Sequence, residues 1–130
     1  LILLDTNVVL WVAFEAGRLS KKAKAAIDDA RRTGEGLAIS DMTLLEIAML
    51  ANKKRIPLDI SLELFLSQVE GRFSVLPMNA QICARAYALP AENFRDPADR
   101  IIAATAMSGG LTLITADREI RNSRVVPTIW

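Results

Sequence analysis

Five carboxylates punctuate a chain that contains no histidine. They are Asp5 in LLDTN, Glu46 in TLLEIAML, Asp96 and Asp99 in RDPADR, and Asp117 in ITAD. Four of them lie beside or within apolar runs, where an unpaired charge is costly to desolvate. Without histidine the chain lacks the usual neutral-pH general base and the commonest zinc ligand. Its single cysteine, Cys83, excludes an internal disulfide and a thiolate-rich metal site. Acids that converge without an imidazole suit a hard, oxygen-seeking cation, Mg²⁺ or Mn²⁺.

The elements that must position these acids follow from hydrophobic patterning and capping signals. Residues 2–4 (ILL) read as a buried strand ending at Asp5, followed by a helix over 6–14 that Gly17 closes. Ser20 caps a second helix to about Arg32, with Gly34 as its stop. A strand over 37–39 leads to a helix capped by Ser40 or Asp41 and running to about Lys54. Beyond Pro57, Asp59 is expected to cap an amphipathic helix whose Ile60, Leu64 and Val69 face a core. A third strand spans 73–76, and Asn79 caps a helix to about Leu89. Asp96 followed by Pro97 opens a helix reaching Gly109 and Gly110, because proline fits the first helical position. LTLIT (111–115) is a strand, Asp117 opens a short helical turn, and 124–126 is expected to form a last strand. Strands alternating with helices predict an α/β domain with a short, mainly parallel sheet of about four to five strands flanked by helices, one domain over 1–130. In such sheets ligands bind beyond the carboxyl ends of the strands, where Asp5, Ser40–Asp41 and Asp117 stand.

Each acid also has a plain structural role open to it. Asp5 is placed to cap the helix that follows it, Asp117 its own short turn, and Asp96 the helix entered by Pro97. Asp99 suits the positive first turn of that helix, yet shares a face with Ile102, Ala103 and Ala106. Glu46 has Met42, Thr43, Met49 and Leu50 as helical neighbours, so it calls for a partner or a metal, a salt bridge to an arginine being the alternative. What the individual roles leave unexplained is that the acids recur at one edge of the sheet.

Bulk properties narrow the setting. Apolar residues make up 52% of the chain, which rules out disorder, and no apolar run reaches the length of a membrane span. Asp5 interrupts the apolar start too early for a signal-peptide core, and the chain begins at Leu1, so an initiator residue is expected ahead of it. The expected compartment is the cytoplasm. A net charge of +1 does not advertise a nucleic-acid binder, but Arg95, Arg100, Arg118, Arg121 and Arg124 are interleaved with the last three acids. Arg100 and Arg118 are the candidates to steer a nucleic-acid backbone toward an anionic pocket, with a salt bridge to a nearby acid as the alternative for each.

LLDTN, the mid-helix Glu46 of LLEIAML, DPADRIIAATA and LITAD, in that order, resemble the PIN-domain nucleases, and among them the VapC-type toxins of bacterial toxin–antitoxin pairs. The resemblance spans essentially the whole chain. It implies that Asp5, Glu46, Asp99 and Asp117 correspond to the family's acidic metal-binding quartet. It further implies that Thr6 and Asn7 match its strand-end polar pair and Thr115 its hydroxyl near the last acid, while Asp96 matches an extra acid of the DPxDR type, in a supporting role. The implied activity is metal-dependent endoribonuclease cleavage with Mg²⁺ or Mn²⁺. The implied partners are an RNA substrate, a cognate antitoxin and a second copy in a homodimer, with the apolar helices at 42–51 and 60–69 as candidate surfaces.

Two other classes remain open at this point. One is a PIN-like module that binds RNA without significant cleavage, although four mutually repelling acids serve a binder poorly. The other is a different acid-using phosphoryl-transfer domain. A two-aspartate phosphatase, however, needs an aspartate where Asn7 stands, and a phosphoryl-accepting receiver needs a lysine after the strand at 111–115.

Overall fold

Neighbouring residues of single strands feed two different cores, and this alternation sets the architecture. In a computed structural model that describes residues 1–130, Leu4 of β1 (Ile2–Leu4), Leu37 and Ile39 of β2 (Leu37–Ser40) and Ile114 of β4 (Thr112–Ile114) face one core. Their neighbours Leu3, Ala38 and Leu113 face the other. Side chains on a strand alternate with period two, so a sheet buried on both faces reads as continuous apolar sequence. The first core is completed by α1 (Thr6–Phe14), α2 (Lys21–Thr33), α3 (Asp41–Asn52) and α4 (Leu62–Arg72), through Val8, Ile27, Ile47 and Phe65 among others. The second is completed by α6 (Pro97–Gly109) and α7 (Arg118–Ser123), through Ile102, Ala103, Ala106 and Ile120. α5 (Ala80–Ala86) packs on the outer side of α6 through Ile82 and Ala86 against Ile101 and Ala104.

The sheet is fully parallel, in the order β3-β2-β1-β4-β5, where β3 is Ser74–Leu76 and β5 is Thr128–Ile129. The chain travels outward from β1 through β2 to β3, then returns to pair β4 on the other side of β1. The order therefore reverses between β1 and β4. Loops leaving adjacent strands at such a point diverge, opening a crevice at their carboxyl ends.

Local signals place most element boundaries. Ser20, Ser40, Asn79 and Asp96 each accept a hydrogen bond from a backbone N–H in the first turn of the helix they precede. Gly34 ends α2 with φ +74°, a conformation that carries no steric penalty without a Cβ.

Three expectations are corrected. α4 is capped by Ser61, not Asp59, and Ser61 Oγ accepts from Leu64 N at 3.1 Å. Ile60 therefore precedes the helix, Leu64 is exposed, and Phe65 and Val69 are the residues that reach the core. α5 stops at Ala86 rather than Leu89. The last strand is Thr128–Ile129, not 124–126, because Arg124 takes a left-handed conformation (φ 56°) that ends α7 and delays β pairing until after Pro127. No helix is long and apolar enough to cross a membrane.

Candidate active site

Register alone brings the first groups together. Leu4 pairs with Ile114, so the residues just beyond them, Asp5 and Thr115, emerge side by side at the point where strand order reverses. Thr115 Oγ1 donates to Asp5 Oδ2 at 2.7 Å, and the Thr6 backbone N–H donates to Asp5 Oδ1 at 2.8 Å. Thr115 Oγ1 also accepts from the Asp117 N–H at 3.1 Å. Asp117 Oδ1 in turn accepts from Glu119 N and Ile120 N at 2.8 and 3.1 Å, capping α7. One threonine hydroxyl thus ties the Asp5 carboxylate to the backbone that carries Asp117.

α3 leaves β2, the strand on the other side of β1, and carries Glu46 toward the same edge. Thr6 Oγ1 donates to Glu46 Oε1 and lies 3.0 Å from Thr43 Oγ1. Thr43, fully buried, sits one turn before Glu46 on the same helical face. It completes a Thr43–Thr6–Glu46 chain that orients the glutamate. In the sequence Thr43 stands only among the apolar neighbours of Glu46. Its spacing of three residues was the available signal, and a threonine in an apolar stripe gave no direction to its hydroxyl. Glu46 is half-buried, and the Met49 beside it is exposed, so its face is more open than its neighbours imply.

Asp99 lies at the electrostatic centre. It is half-buried in the first turn of α6, and burial, with the charges of Asp5, Asp96, Asp117 and Glu46, pushes its carboxyl up to about 8. No hydrogen bond offsets these effects. Asp5, only 7% exposed, is likewise raised by burial, against the lowering action of the Thr115 and Thr6 hydrogen bonds. Glu46 is raised by burial first, with Thr6 opposing and Asp5 and Asp96 adding to the rise. All three shifts come first from burial, with neighbouring acids adding to the rise.

A cavity of about 290 Å³, lined by no apolar residue, opens here between Asp96, Asp99, Asp117, Glu92, Asn93, Arg95 and Glu119. Asp96 is exposed at its edge and its Oδ1 accepts from Ala98 N at 2.9 Å, so its helix-capping role is realised. Asn7 is exposed and lines a different groove, with Trp11, Phe14 and Ile56. Arg118 is exposed on α7. Arg100 does not have the free position expected of a backbone-steering cation. It is buried, its Nη1 donates to the carbonyls of Ala86 and Leu89 at 2.9 and 3.3 Å, and its guanidinium lies over the Tyr87 ring. It braces the end of α5 against α6. Neither Arg100 nor Arg118 forms a salt bridge.

The donor set fits a hard divalent cation. Every ligand offered is a carboxylate or hydroxyl oxygen, and the Asp99 carboxyl has no donor to share its charge. Asp96, Asp99 and Asp117 line the cavity, Asp5 and Glu46 do not, and no three acids are gathered as a ready-made ion site.

Comparison with known proteins agrees with the fold. The PIN domain family model matches residues 2–125. Ribonuclease VapC22 of Mycobacterium tuberculosis is 37% identical over 123 residues, covering 95% of this chain and 92% of that protein. Among solved structures, DNA-bound VapBC from Salmonella typhimurium is similar with TM-score 0.67 at 25% identity, covering 98% of this chain and 95% of the other. VapBC2 from Rickettsia felis, bound to a promoter DNA fragment, shares the fold with TM-score 0.71 at 15% identity, over 98% and 96% of the two chains. The chain belongs to the PIN domain family.

Proposed function

We propose that this protein is a VapC-type endoribonuclease, the toxin of a toxin–antitoxin pair, which hydrolyses RNA phosphodiester bonds with Mg²⁺ or Mn²⁺ held by Asp5, Asp99, Asp117 and Glu46. The observation that carries the reading is the position of Asp99, a half-buried carboxyl with no hydrogen bond to lower it, on which the other four acids all act. A fold gains nothing from such a cluster unless a cation is to enter it. The 37% identity to a protein named a ribonuclease supports RNA as the substrate. The likeness to VapBC complexes, some solved with DNA, supports an antitoxin partner.

A bound divalent ion would lower the pKa of a coordinated water and stabilise charge on phosphate oxygens. The chain's own part is positional. Thr115 fixes the Asp5 carboxylate, and Thr6, backed by Thr43, fixes Glu46, so one proposed ligand at a strand end and one on a helix are oriented before an ion arrives. Asp117 spends Oδ1 on its cap and keeps its other oxygen for the pocket. Asp96 supports from the rim. Exposed Leu45 and Met49 on α3 and Leu64 on α4 offer apolar area for the antitoxin or for a second copy in a homodimer.

Incubation with total RNA and Mg²⁺, followed by mapping of new ends, tests the activity. Defined new ends are expected, abolished by EDTA. Asp99→Asn is expected to lower cleavage by more than the ~10–100-fold that loss of a merely supporting group costs. Cleavage that persists undiminished in EDTA contradicts the metal role.

A further inference from the structure

Beside the acidic pocket lies a surface of the opposite sign. Asp117 caps α7, and Asp117 and Glu119 line the acidic cavity. The residues between and beyond them, Arg118, Arg121, Asn122 and Arg124, line a separate open depression of about 710 Å³ with Thr128 of β5. Positions 118, 121 and 122 fall on one helical face, so this six-residue helix divides cations from acids along its length. Arg118 and Arg124 are exposed, Arg121 is half-buried, and none of the three is in a salt bridge. Arg18 and Arg32, by contrast, are paired with Glu15 and Asp29.

Arg124 adds a second, independent observation. It occupies the left-handed helix-ending position at φ 56°, ψ 21°, where glycine would be at ease and a long side chain is not. At the ends of α2 and α6 the same conformation is taken by Gly34 and Gly110. Lys54 takes the same conformation at φ 56°, and what sets Arg124 apart is that it lines the basic depression.

We propose that Arg118, Arg121 and Arg124 form a phosphate track that receives the single-stranded RNA backbone as it leaves the acidic pocket. This rests on the ribonuclease reading and adds to it the direction of the substrate across the molecule. The lining favours RNA over a protein partner. The depression has no apolar residue to serve as the buried anchor of a protein interface, whereas planar guanidinium forks match phosphate oxygens. A strand drawn to the carboxylates meets net repulsion there, and adjacent cations on α7 offset it without entering the pocket.

The test uses the full chain carrying Asp99→Asn, which is expected to bind RNA without cutting it, and a fluorescent single-stranded polyuridine RNA read by anisotropy over a salt series with Mg²⁺ present. Adding Arg118→Ser with Arg121→Ser is expected to weaken binding about tenfold and flatten the slope of log K against log salt by about 1.4, from ~0.7 per lost phosphate contact. Arg124→Gly, which frees the backbone while removing the charge, is expected to flatten it by about 0.7. Melting temperatures serve as the folding control. In the parent chain with Asp99 intact, the same changes should lower kcat/KM on total RNA. Unchanged affinity and slope in both variants, with cleavage by the parent intact, overturn the track and leave the ribonuclease reading standing. Variants that keep RNA affinity but lose binding to polyglutamate overturn it in favour of an acidic protein partner. A parent chain that neither binds nor cleaves RNA overturns both readings.

Discussion

At the residue scale, Asp99 carries the sharpest consequences. Its carboxyl is raised from an ordinary value of 3.8 to about 8 in the fold. The folded protein therefore holds a proton that the unfolded chain has released, and stability falls as pH rises between about 4 and 8. Asp5 and Glu46, also raised, act in the same direction. Asp99→Asn removes the part of this dependence that Asp99 contributes. With divalent ions chelated, the variant is expected to show a flatter Tm–pH profile and, at neutral pH, a Tm roughly 2–6 °C above wild type. A lower Tm with an unchanged profile would mean that Asp99 is a structural acid. Asp5 is legible in the sequence because it directly follows a short apolar strand, whereas Thr115, read as the last residue of its strand, stood out only through the family resemblance; the register of two parallel neighbours fixes their meeting. Thr43 and Arg100 were not legible, since nothing in a linear pattern says which way a buried hydroxyl or guanidinium turns. Replacing Thr115 by Val, which keeps the shape and removes the bond to Asp5, is expected to cut RNA cleavage about 10–100-fold while the protein stays folded.

At the element scale, α6 does two jobs through adjacent residues. Asp96 caps it, Pro97 fits its first position, and Asp99 then projects from its first turn toward the acidic edge. Asp96→Asn keeps a cap acceptor, whereas Asp96→Ala loses it and should cost about 1 kcal/mol by urea unfolding. Equal stability of the two variants would show that the cap contributes little. Strong capping pairs of this kind made the helix starts readable at Ser20, Ser40, Asn79 and Asp96. The failures came where two signals competed. Asp59 and Ser61 are both good caps two residues apart, and the one whose helix turns Phe65 and Val69 into the core prevails. At the last strand, Val125 and Val126 have strand character, but the left-handed Arg124 turns the chain and Val126 is used in the core instead.

At the scale of the whole molecule, the order β3-β2-β1-β4-β5 brings separate stretches of sequence to one edge of the sheet, where the proposed site lies. Asp5 leaves the central strand, Thr115 and Asp117 follow its neighbour, Glu46 arrives on a helix from the strand opposite, and Asp99 enters on the helix before β4. The alternation of strands and helices was enough to read a parallel α/β domain, while the pairing order needed the two-sided burial of β1, β2 and β4 that the structure supplies. The central claim is that the acids function as one divalent-cation site, and thermal unfolding across a Mn²⁺ titration tests it most directly. Wild type should gain stability with ion concentration, by about 2.7 kcal/mol at a hundredfold excess over Kd, and Asp99→Asn should gain little or none. A wild-type Tm indifferent to Mn²⁺, or a variant that responds equally, would contradict it.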